Sequence, residues 1–512
     1  MPFKPLLVTE DSLVLELRSG QPWRSEPAHA LSLDGVALAG RHENLLVLRE
    51  LEPDRGYRLA IGEGAQRVEL ELRTEPRRVQ VDVREFGAVG DGVHDDTGAL
   101  QAAIAACPGN GRVVVPAGTW LSAPLFLKTG LHLRLDRGAT VLGHPDMARW
   151  PTLPAQLDDG HGGQRRVLGS WEGRPARCHA SLLTGIGVER VVIDGEGVVD
   201  GNASFATWWG RPKAPFPGGW RPRTLLLVGA SQVAVAGIGL RNSPSWTVHA
   251  LACHDLLFAG LDIRAPVDSP NTDGIDPESC LRVRIIGCRI DTGDDCVAIK
   301  SGKPGPDGPP PPSRATLVSN CLMRSGHGAV VIGSETAGGV YDVLARDCLF
   351  EGTDRGLRIK TRRGRGRAAV VDGVRLENTT MAGVGTPLSI NSFYWCDPDG
   401  REPHVGDRAA RPVDEGTPSI RDIAVVDVDC RGVRHAAAWV LGLPEQPIEG
   451  LRIDHFTVRF DPAAEPACPD MAEGIAPVAR HGLYLENVRG LALGGIDIEG
   501  AQGPVLTQEN VA

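Results

Sequence analysis

The sequence has few aromatic residues, no long apolar run and no excess of positive charge. Phe, Trp and Tyr make up 5% of the 512 residues, and no stretch of about 18 apolar residues occurs, so no membrane span is expected. The formal net charge of −10 argues against nucleic acid as a partner, although a local cationic cleft for an acidic substrate is compatible with it. Helical periodicity is scarce, whereas 64 glycines and 39 prolines are typical of an all-β protein rich in turns.

The N-terminus also lacks the apolar core of a signal peptide, because three acidic residues interrupt its first 20 positions. The 11 cysteines are odd in number and scattered. Three of them occupy the same position in successive repeats: Cys288, Cys321 and Cys348. The pattern predicts a ladder of buried, reduced thiols. Together these features predict a cytoplasmic protein, with secretion by another route left open.

Short apolar segments repeat along most of the chain. From Gly111 onward, runs such as RVVVPAG, LHLRLDRG and LRVRIIG are separated by Gly, Asn or Asp, and they recur about every 22 to 30 residues, as in a solenoid. A single turn of this kind cannot bury its own apolar face, so the turns must stack. The sequence therefore predicts an all-β fold, a right-handed parallel β-helix over residues 80–512, with about ten or more turns.

Two segments precede the repeats. Residues 1–76 alternate strand-like runs with polar turns, and LEPDRGYRLAI at 51–61 resembles the tyrosine corner of a fibronectin type III sandwich. A small fibronectin type III-like β-sandwich is therefore expected there, followed by a linker around Pro76. Next, Asp96 is expected to cap a helix whose apolar face plugs the first turn of the solenoid.

Three aspartates mark the segment NTDGIDPESCLRVRIIGCRIDTGDDCVAIKSG at 271–302. Asp273 and Asp295 lie 22 residues apart, and Asp294 adjoins the second of them. If 22 residues form one turn, Asp273 and Asp295 lie on adjacent turns about 4.8 Å apart. Like charges stacked so closely cost stability and are typical of catalytic sites.

Cationic residues and a histidine follow the aspartates in the same repeat pattern. Aligning the repeats on the residue that begins each strand predicts a single column: Gly274, Cys296, Gly328 and Gly356. In this alignment His327 lies one turn beyond Asp295. Strand alternation sends Arg358 and Lys360 to one face, with Lys300 beside them. Carboxylates flanked by a histidine and fixed cations are what hydrolysis of an acidic sugar polymer requires.

Four motifs carry a family resemblance. NTDG at 271–274, GDD at 293–295, GHG at 326–328 and RIK at 358–360 occur in this order and resemble the signature motifs of the polygalacturonases, glycoside hydrolase family 28. The resemblance runs from about Val83 to the C-terminus and includes FGAVGDGVHDDTGALQAAI at 86–104. It implies a pectin-degrading β-helix hydrolase, for which neither a cofactor nor a metal ion is expected.

The resemblance implies a role for each acidic residue. Asp294 is expected to be the general acid, and Asp273 with Asp295 the general base on water, with inversion at the anomeric carbon. Carboxylates about 5 Å apart are typical of retaining enzymes, so inversion rests on the resemblance alone. Crowding should leave one of the three aspartates protonated near neutral pH. His327 is expected to hydrogen-bond the acid or the sugar.

Substrate binding is expected to involve five residues. Arg358 and Lys360, with Lys300 beside them, would hold the galacturonate carboxylate. Tyr394 resembles the family's substrate-stacking tyrosine, with packing under a loop as the alternative, and Asn271 either bonds a sugar or shapes the turn. The expected partner is a pectic polysaccharide or an oligogalacturonide, with neither nucleic acid nor a membrane involved. The sequence does not indicate an oligomeric state.

Other functions compete with this interpretation. A pectate lyase shares the fold and would use the aspartates for Ca²⁺, but the order of GDD, GHG and RIK favours a hydrolase. A non-catalytic carbohydrate-binding solenoid would need no stacked aspartates. Among hydrolases, homogalacturonan, rhamnogalacturonan and xylogalacturonan all stay open as the substrate.

Insertions interrupt the repeats at 145–179, 208–222, 303–313 and 394–417, and such insertions often build the binding face of a solenoid. The last three are expected to rise beside the catalytic turns and close one end of the cleft. With the N-terminal domain they resemble the bacterial exo-polygalacturonase branch, as do GSW at 169–171, NSPSWTVH at 242–249 and VVIGSE at 330–335. We therefore expect release of mono- or digalacturonate from a chain end.

Overall fold

Parallel β-strands dominate the structure, a computed structural model that describes residues 3–62, 67–157 and 166–512. Thirty-three strands form one continuous sheet, in which each strand pairs with its equivalents on the preceding and following turns. Residues 158–165, in the middle of the predicted 145–179 insertion, lie outside the described part. The all-β fold and the parallel β-helix predicted from the repeats are confirmed.

Each turn of the solenoid contributes strands to three faces, which we call A, B and C. Face A contains Gln80–Asp82, Arg112–Val115, His132–Leu135, Glu189–Gly195, Ser231–Ala236, His254–Ala259, Leu281–Ile286, Ser313–Ser319 and Val340–Arg346. Face B contains Asp91–Asp95, Gly118–Ser122, Ala139–Gly143, Val198–Asp200, Gly239–Arg241, Asp262–Arg264, Arg289–Thr292, Leu322–Ser325 and Leu349–Glu351. Face C contains Leu125–Phe126, Leu183–Ile186, Leu225–Val228, Val248–Leu251, Ile275–Glu278, Val297–Ile299, Val330–Ile332, Arg355–Lys360, Thr386–Asn391, Ala436–Leu441 and Leu506–Val511.

In the last turns, strands continue around the corners between faces. These long strands are Val370–Ala382, Ser419–Val433, Ile448–Phe460 and His481–Glu499. The first insertion carries three short antiparallel pairs: Thr152–Leu153 with Cys178–His179, Gln156–Leu157 with Arg166–Val167, and Ser170–Trp171 with Arg174–Pro175. Short helices or 3-10 turns occur at Val83–Phe86, Met147–Arg149, Trp208–Gly210, Asp397–Gly400 and Pro403–Gly406. Among the described residues, no helix is long and apolar enough to cross a membrane.

The core is built from side chains that stack in register from turn to turn. On face A, Val235 pairs with Phe258, and Phe258 pairs in turn with Ile285, and all three side chains are fully buried. Each turn thus covers the apolar face of its neighbour, as the repeats require. The three ladder cysteines precede paired strands of face B and are buried, and all 11 cysteines of the chain are free thiols, which confirms the predicted ladder.

A single helix, Thr97–Ala106, covers the first turn of the solenoid with its apolar face. The expected side-chain cap by Asp96 is wrong. The carboxylate of Asp96 accepts hydrogen bonds from the backbone N of Val89 at 2.7 Å and of Gly90 at 3.0 Å, while Asp95 accepts from the first helical residue. Asp96 is completely buried, and the free N–H groups of the preceding turn claim its oxygens because they would otherwise be buried without a partner.

The N-terminal region forms two antiparallel sheets around a core of its own. One sheet contains Phe3–Val8, Leu13–Leu17 and Leu45–Leu48, and the other contains Arg24–Leu33, Val36–Glu43, Gly56–Ile61 and Val68–Arg73. The hydroxyl of Tyr57 accepts a hydrogen bond of 2.7 Å from the backbone N of Glu52, which is the geometry of a tyrosine corner. Val14 packs with Leu257 and Ile286 of face A and so joins these sheets to the solenoid.

Candidate active site

The signature aspartates lie at the start of strands that stack on face C. Ile275 pairs with Val297, and the backbone N of Gly274 donates to the carbonyl oxygen of Asp295. Asp273 and Asp295 therefore occupy equivalent positions on adjacent turns, as the 22-residue interval predicts. The backbone N of Thr247 likewise donates to the carbonyl oxygen of Asp273, so the ladder of backbone hydrogen bonds extends to both aspartates and fixes their main chain.

His327 is displaced by one position from the predicted column. Val297 pairs with Val330, so Ala329, not Gly328, lies opposite Cys296, and the column alignment is wrong at this turn. His327 consequently faces Asp294, and its Nδ1 lies 3.1 Å from Oδ1 of that residue. The strands before and after Gly326 keep one offset, since Arg289 pairs with Leu322 and Val297 with Val330. No bulge therefore moves His327, and the prediction aligned the wrong glycine of GHG. Gly326 turns the chain with a φ of +59°, where a Cβ would lie 2.7 Å from the carbonyl oxygen of Asp294.

The three aspartates form one cluster, and their oxygens come within 4.8 Å of one another. The side chain of Asp294 is 21% exposed, whereas those of Asp273 and Asp295 are 4% and 2% exposed. Asp294 is thus the member of the cluster that reaches most openly into the cleft. A fourth carboxyl, Asp276, lies completely buried within the same cluster, 3.4 Å from Nζ of Lys300.

Two lysines supply positive charge to this cluster. Nζ of Lys360 lies 2.6 Å from Oδ2 of Asp295. Nζ of Lys300 lies 3.5 Å from Oδ2 of Asp273 and 3.3 Å from Oε2 of Glu335. These lysines lie at or just beyond the carboxyl ends of their strands, and both are buried. Their attraction offsets part of the repulsion among the carboxylates.

The carboxyl groups of the cluster differ in pKa. Burial raises the pKa of Asp273 to about 7, and the charge of Asp294 adds to this rise. Burial also opposes ionisation of Asp294, but the hydrogen bond from His327 and its charge outweigh it and hold the pKa of Asp294 well below its ordinary value. The same hydrogen bond raises the pKa of His327 to about 9. Burial and the charge of Asp273 also raise the pKa of Asp276 well above its ordinary value. Among the three signature aspartates, a proton near neutral pH is therefore favoured on Asp273 over Asp294.

Arg358 has an anionic partner that the sequence does not reveal. Its Nη2 lies 2.7 Å from Oδ1 of Asp470, and its Nη1 lies 3.8 Å from Oδ1 of Asp295. Asp470 also accepts a hydrogen bond from the hydroxyl of Ser389. The charge of Arg358 lowers the pKa of Asp470 to about 2 despite its burial. Asp470 lies in the loop after strand Ile448–Phe460, so no spacing near the RIK motif points to it.

Tyr394 and Asn271 lie at the edges of the cluster. The ring of Tyr394 is buried, with its centroid 5.5 Å from Cζ of Arg358 and 5.3 Å from Nζ of Lys360, so it packs against both cations. Asn271 has a φ of +56°, and its Oδ1 accepts a 2.6 Å hydrogen bond from Nη2 of Arg221. This contact supports the turn-shaping interpretation of Asn271. Arg221 lies in the 208–222 insertion and is completely buried.

The three clustered aspartates have a spacing that a metal ion accepts. However, the ammonium groups of Lys300 and Lys360 lie 3.5 Å and 2.6 Å from Asp273 and Asp295. A calcium ion takes six to eight oxygen ligands, and two fixed ammonium groups at these carboxylates would repel it. The donor set therefore fits a carboxylate and ammonium cluster better than a Ca²⁺ site.

Comparison with known proteins identifies related sequences and folds. The profile of glycosyl hydrolases family 28 matches residues 168–406, and a profile described as rhamnogalacturonase A/epimerase, pectate lyase-like, matches residues 80–149. A probable polygalacturonase of Vitis vinifera is 33% identical over 412 residues, which cover 77% of this chain and 77% of the relative.

Two solved structures share the architecture. A family 28 exopolygalacturonase of Yersinia enterocolitica superposes with a TM-score of 0.74 at 19% identity, over 99% of this chain and 97% of that chain. An exopolygalacturonase of Thermotoga maritima superposes with a TM-score of 0.61 at 25% identity, over 82% of this chain and 94% of that chain. The first of these likenesses includes the N-terminal sheets and shows a common fold.

Proposed function

Because the chain belongs to glycosyl hydrolases family 28, we propose that it is an exo-acting polygalacturonase that hydrolyses α-1,4-galacturonosyl linkages of pectin or oligogalacturonides. The family membership makes the chain a pectin-degrading glycoside hydrolase. The observation that carries the finer proposal is the aspartate cluster, in which Asp273, Asp294 and Asp295 meet His327 and buried lysines. This cluster combines acid and base groups with cations suited to a uronate.

We assign the general acid to Asp294, since its carboxylate is the most exposed of the three. His327 lowers the pKa of Asp294 in the free site, and burial raises the pKa of Asp273 to about 7, so we propose that Asp273 supplies the proton when substrate binds. Transfer of that proton to Asp294 leaves Asp273 and Asp295 both ionised. Asp294 then protonates the leaving oxygen as the glycosidic bond breaks, and the two carboxylates accept a proton from the attacking water. Inversion at the anomeric carbon is proposed from the family resemblance.

Recognition of the sugar acid is assigned first to Lys360 and Lys300. An ammonium group has three donors, so Lys360, which lies 2.6 Å from Asp295, can still bind a substrate carboxylate. Lys300 already lies 3.3 to 3.5 Å from the carboxylates of Asp273, Asp276 and Glu335, and it contributes mainly its positive charge. Arg358 is already paired with Asp470, and we therefore propose a smaller contribution to substrate affinity from Arg358. Tyr394 packs against the cations from the side and fixes their positions.

The exo mode is supported by the insertions. Residues from the 145–179, 208–222, 303–313 and 394–417 insertions contact one another through ion pairs beside the catalytic strands. An endo-acting enzyme needs a cleft open at both ends, whereas loops joined across one end form a pocket for a chain terminus. Galacturonate or digalacturonate is the product expected from such a pocket.

The test combines substrate, product and variant. Purified protein is assayed for reducing ends on homogalacturonan, rhamnogalacturonan and xylogalacturonan, and ¹H NMR follows the anomer released first. We expect activity on homogalacturonan, early release of mono- or digalacturonate, an inverted product, and a loss of about 10²–10⁴ in kcat for Asp294→Asn. An ultraviolet-absorbing unsaturated product that disappears with a chelator would show elimination instead. More than a tenth of wild-type kcat in Asp294→Asn would contradict the acid assignment.

A further inference from the structure

One residue from each of the four insertions takes part in a connected set of ion pairs, which we call the clamp: Glu172, Lys213, Lys303 and Asp397. Nζ of Lys213 lies 2.5 Å from Oε1 of Glu172 and 3.8 Å from Oδ1 of Asp397. Nζ of Lys303 lies 2.8 Å from the other oxygen of Asp397. The four segments are separated along the chain, so these contacts exist only because the insertions meet over the same part of the solenoid.

The clamp adjoins the catalytic cluster. The backbone N of Lys303 donates to the carbonyl oxygen of Gly173 at 2.9 Å, and a Cβ on Gly173 would lie 2.7 Å from Cγ of Glu335. Glu335 in turn lies 3.3 Å from Lys300, which contacts Asp273 at 3.5 Å. A short chain of direct contacts thus leads from the clamp to the aspartates.

The clamp lies beyond the carboxyl ends of the strands that follow the catalytic aspartates. Asp273 and Asp295 precede strands Ile275–Glu278 and Val297–Ile299, whereas Lys300 and Lys303 follow the second of these strands. The clamp therefore closes the carboxyl end of the strands whose amino ends carry the catalytic carboxylates. A sugar chain that extends from the aspartates toward the carboxyl ends of these strands would meet the clamp.

Asp397 is the centre of the clamp. Its carboxylate is the one that contacts lysines from two other insertions, 208–222 and 303–313. Lys303 and Asp397 are both largely shielded from solvent, while the side chain of Lys213 is more than half exposed. The shielded pair is hard to separate without cost, whereas an exposed pair contributes little. Removing the charge of Asp397 should therefore break the ties of the 394–417 insertion to Lys213 and Lys303, while Arg362 and Arg363 still anchor the rest of this insertion to the solenoid.

We propose that the clamp, through Asp397, determines the mode of attack: it ends the cleft, so that a chain terminus and not a chain interior is placed next to Lys300 and Lys360. The inference rests on the proposed exo-acting polygalacturonase function and names residues that produce it. Without the clamp charge, the population of molecules with an open cleft increases, and internal linkages reach the aspartates.

The experiment compares wild type with Asp397→Asn on long homogalacturonan, recording viscosity and reducing ends together. Asp407→Asn is the matched control, because Asp407 lies in the same insertion but pairs with Arg411 of that insertion at 2.7 Å. We expect Asp397→Asn to raise the viscosity loss per bond cleaved about tenfold, the change in open population that the loss of one charge-assisted contact produces. Intermediate oligomers should appear at low conversion. Asp407→Asn and the conservative Asp397→Glu should keep the wild-type pattern.

The outcomes separate the two proposals. A rapid viscosity loss in wild type would overturn the exo function itself. A wild type that acts from the chain end, together with an Asp397→Asn protein that does the same, would overturn the clamp and leave the exo function standing. If Asp397→Asn does not fold, Lys303→Gln is the second variant, because it removes the other charge of the shielded pair. The same change in product pattern is expected there, and its absence would contradict the clamp.

Discussion

Asparagine at position 273 should abolish turnover and stabilise the protein at alkaline pH. Burial raises the pKa of Asp273 to about 7 from an ordinary value of 3.8, and the charge of Asp294 adds to the rise. A raised pKa in a carboxylic acid means that the folded protein prefers the neutral form. Asparagine has the same shape and cannot ionise, so it removes the cost of holding a carboxylate at this buried position.

The sign and size of the change in stability follow from the number of protons that Asp273 binds in the folded and in the unfolded chain. Below pH 3.8 Asp273 is protonated in both the folded and the unfolded chain. Between pH 3.8 and about 7 the unfolded chain loses this proton while the folded protein keeps it, so the free energy of unfolding falls by about 1.4 kcal/mol per pH unit. The stabilising contribution is thus complete at low pH and lost by about pH 7. Between pH 4.5 and pH 8 the Asp273→Asn variant should gain about 3 kcal/mol on wild type.

Urea unfolding at pH 4.5 and pH 8 measures this difference. Asp294→Asn provides the control of opposite sign, because the pKa of Asp294 is held below its ordinary value by His327 in spite of burial. The ionised Asp294 therefore stabilises the folded protein above the pKa of the unfolded chain, and this stabilisation is lost on acidification. Asp294→Asn should accordingly be less stable than wild type at pH 8. An Asp273→Asn variant whose difference from wild type is the same at both pH values would refute the placement of the proton on Asp273.

Four other variants test the surroundings of the aspartates. His327→Gln should lower kcat and move the alkaline limb of the pH–activity profile to higher pH, because burial then raises the pKa of Asp294 without an opposing imidazolium. If the alkaline limb does not move, His327 does not set the pKa of the general acid. Lys360→Ala should remove most of the preference for galacturonides over their methyl esters, since a charge-assisted bond contributes about 1.5–3 kcal/mol. Arg358→Ala should change the ratio of the two activities less. If wild type, Lys360→Ala and Arg358→Ala all show the same ratio, both cations lie outside the subsite. Asp470→Asn should lower the free energy of unfolding by about 3–5 kcal/mol, because it leaves Arg358 buried without the carboxylate at 2.7 Å. An unchanged urea midpoint would show that Asp295 takes over as the carboxylate partner of Arg358.

The sequence is sufficient for the parallel β-helix and for the central aspartates, because both depend on short-range periodicity. Apolar strands that recur turn after turn can be buried only by stacking, and the 22-residue interval places Asp273 over Asp295 without knowledge of any other contact. The ladder of Cys288, Cys321 and Cys348 follows from the same regularity. The family motifs add roles to these positions but no geometry.

Irregular segments limit the prediction. The turn that contains His327 also contains the 303–313 insertion, so its length differs from the 22-residue turn before it. GHG offers two glycines for alignment, and choosing the second pairs His327 with Asp295, whereas the structure places it against Asp294. Asp96 shows the same limit, since its partners are backbone groups of the preceding turn and not of the helix that follows it.

The tertiary structure alone decides which groups from distant loops reach the cluster. Asp470 neutralises Arg358 across 112 residues, and Arg221 from one insertion holds Asn271. Asp397 joins three insertions whose sequences share no period. Repetition along the chain encodes contacts between neighbouring turns, because each turn is the template for the next. Loops have no such template, so their contacts form only when the folded chain brings the loops together. The pKa values of the buried carboxyl groups depend on those contacts and on burial, and they too are set only in the folded chain.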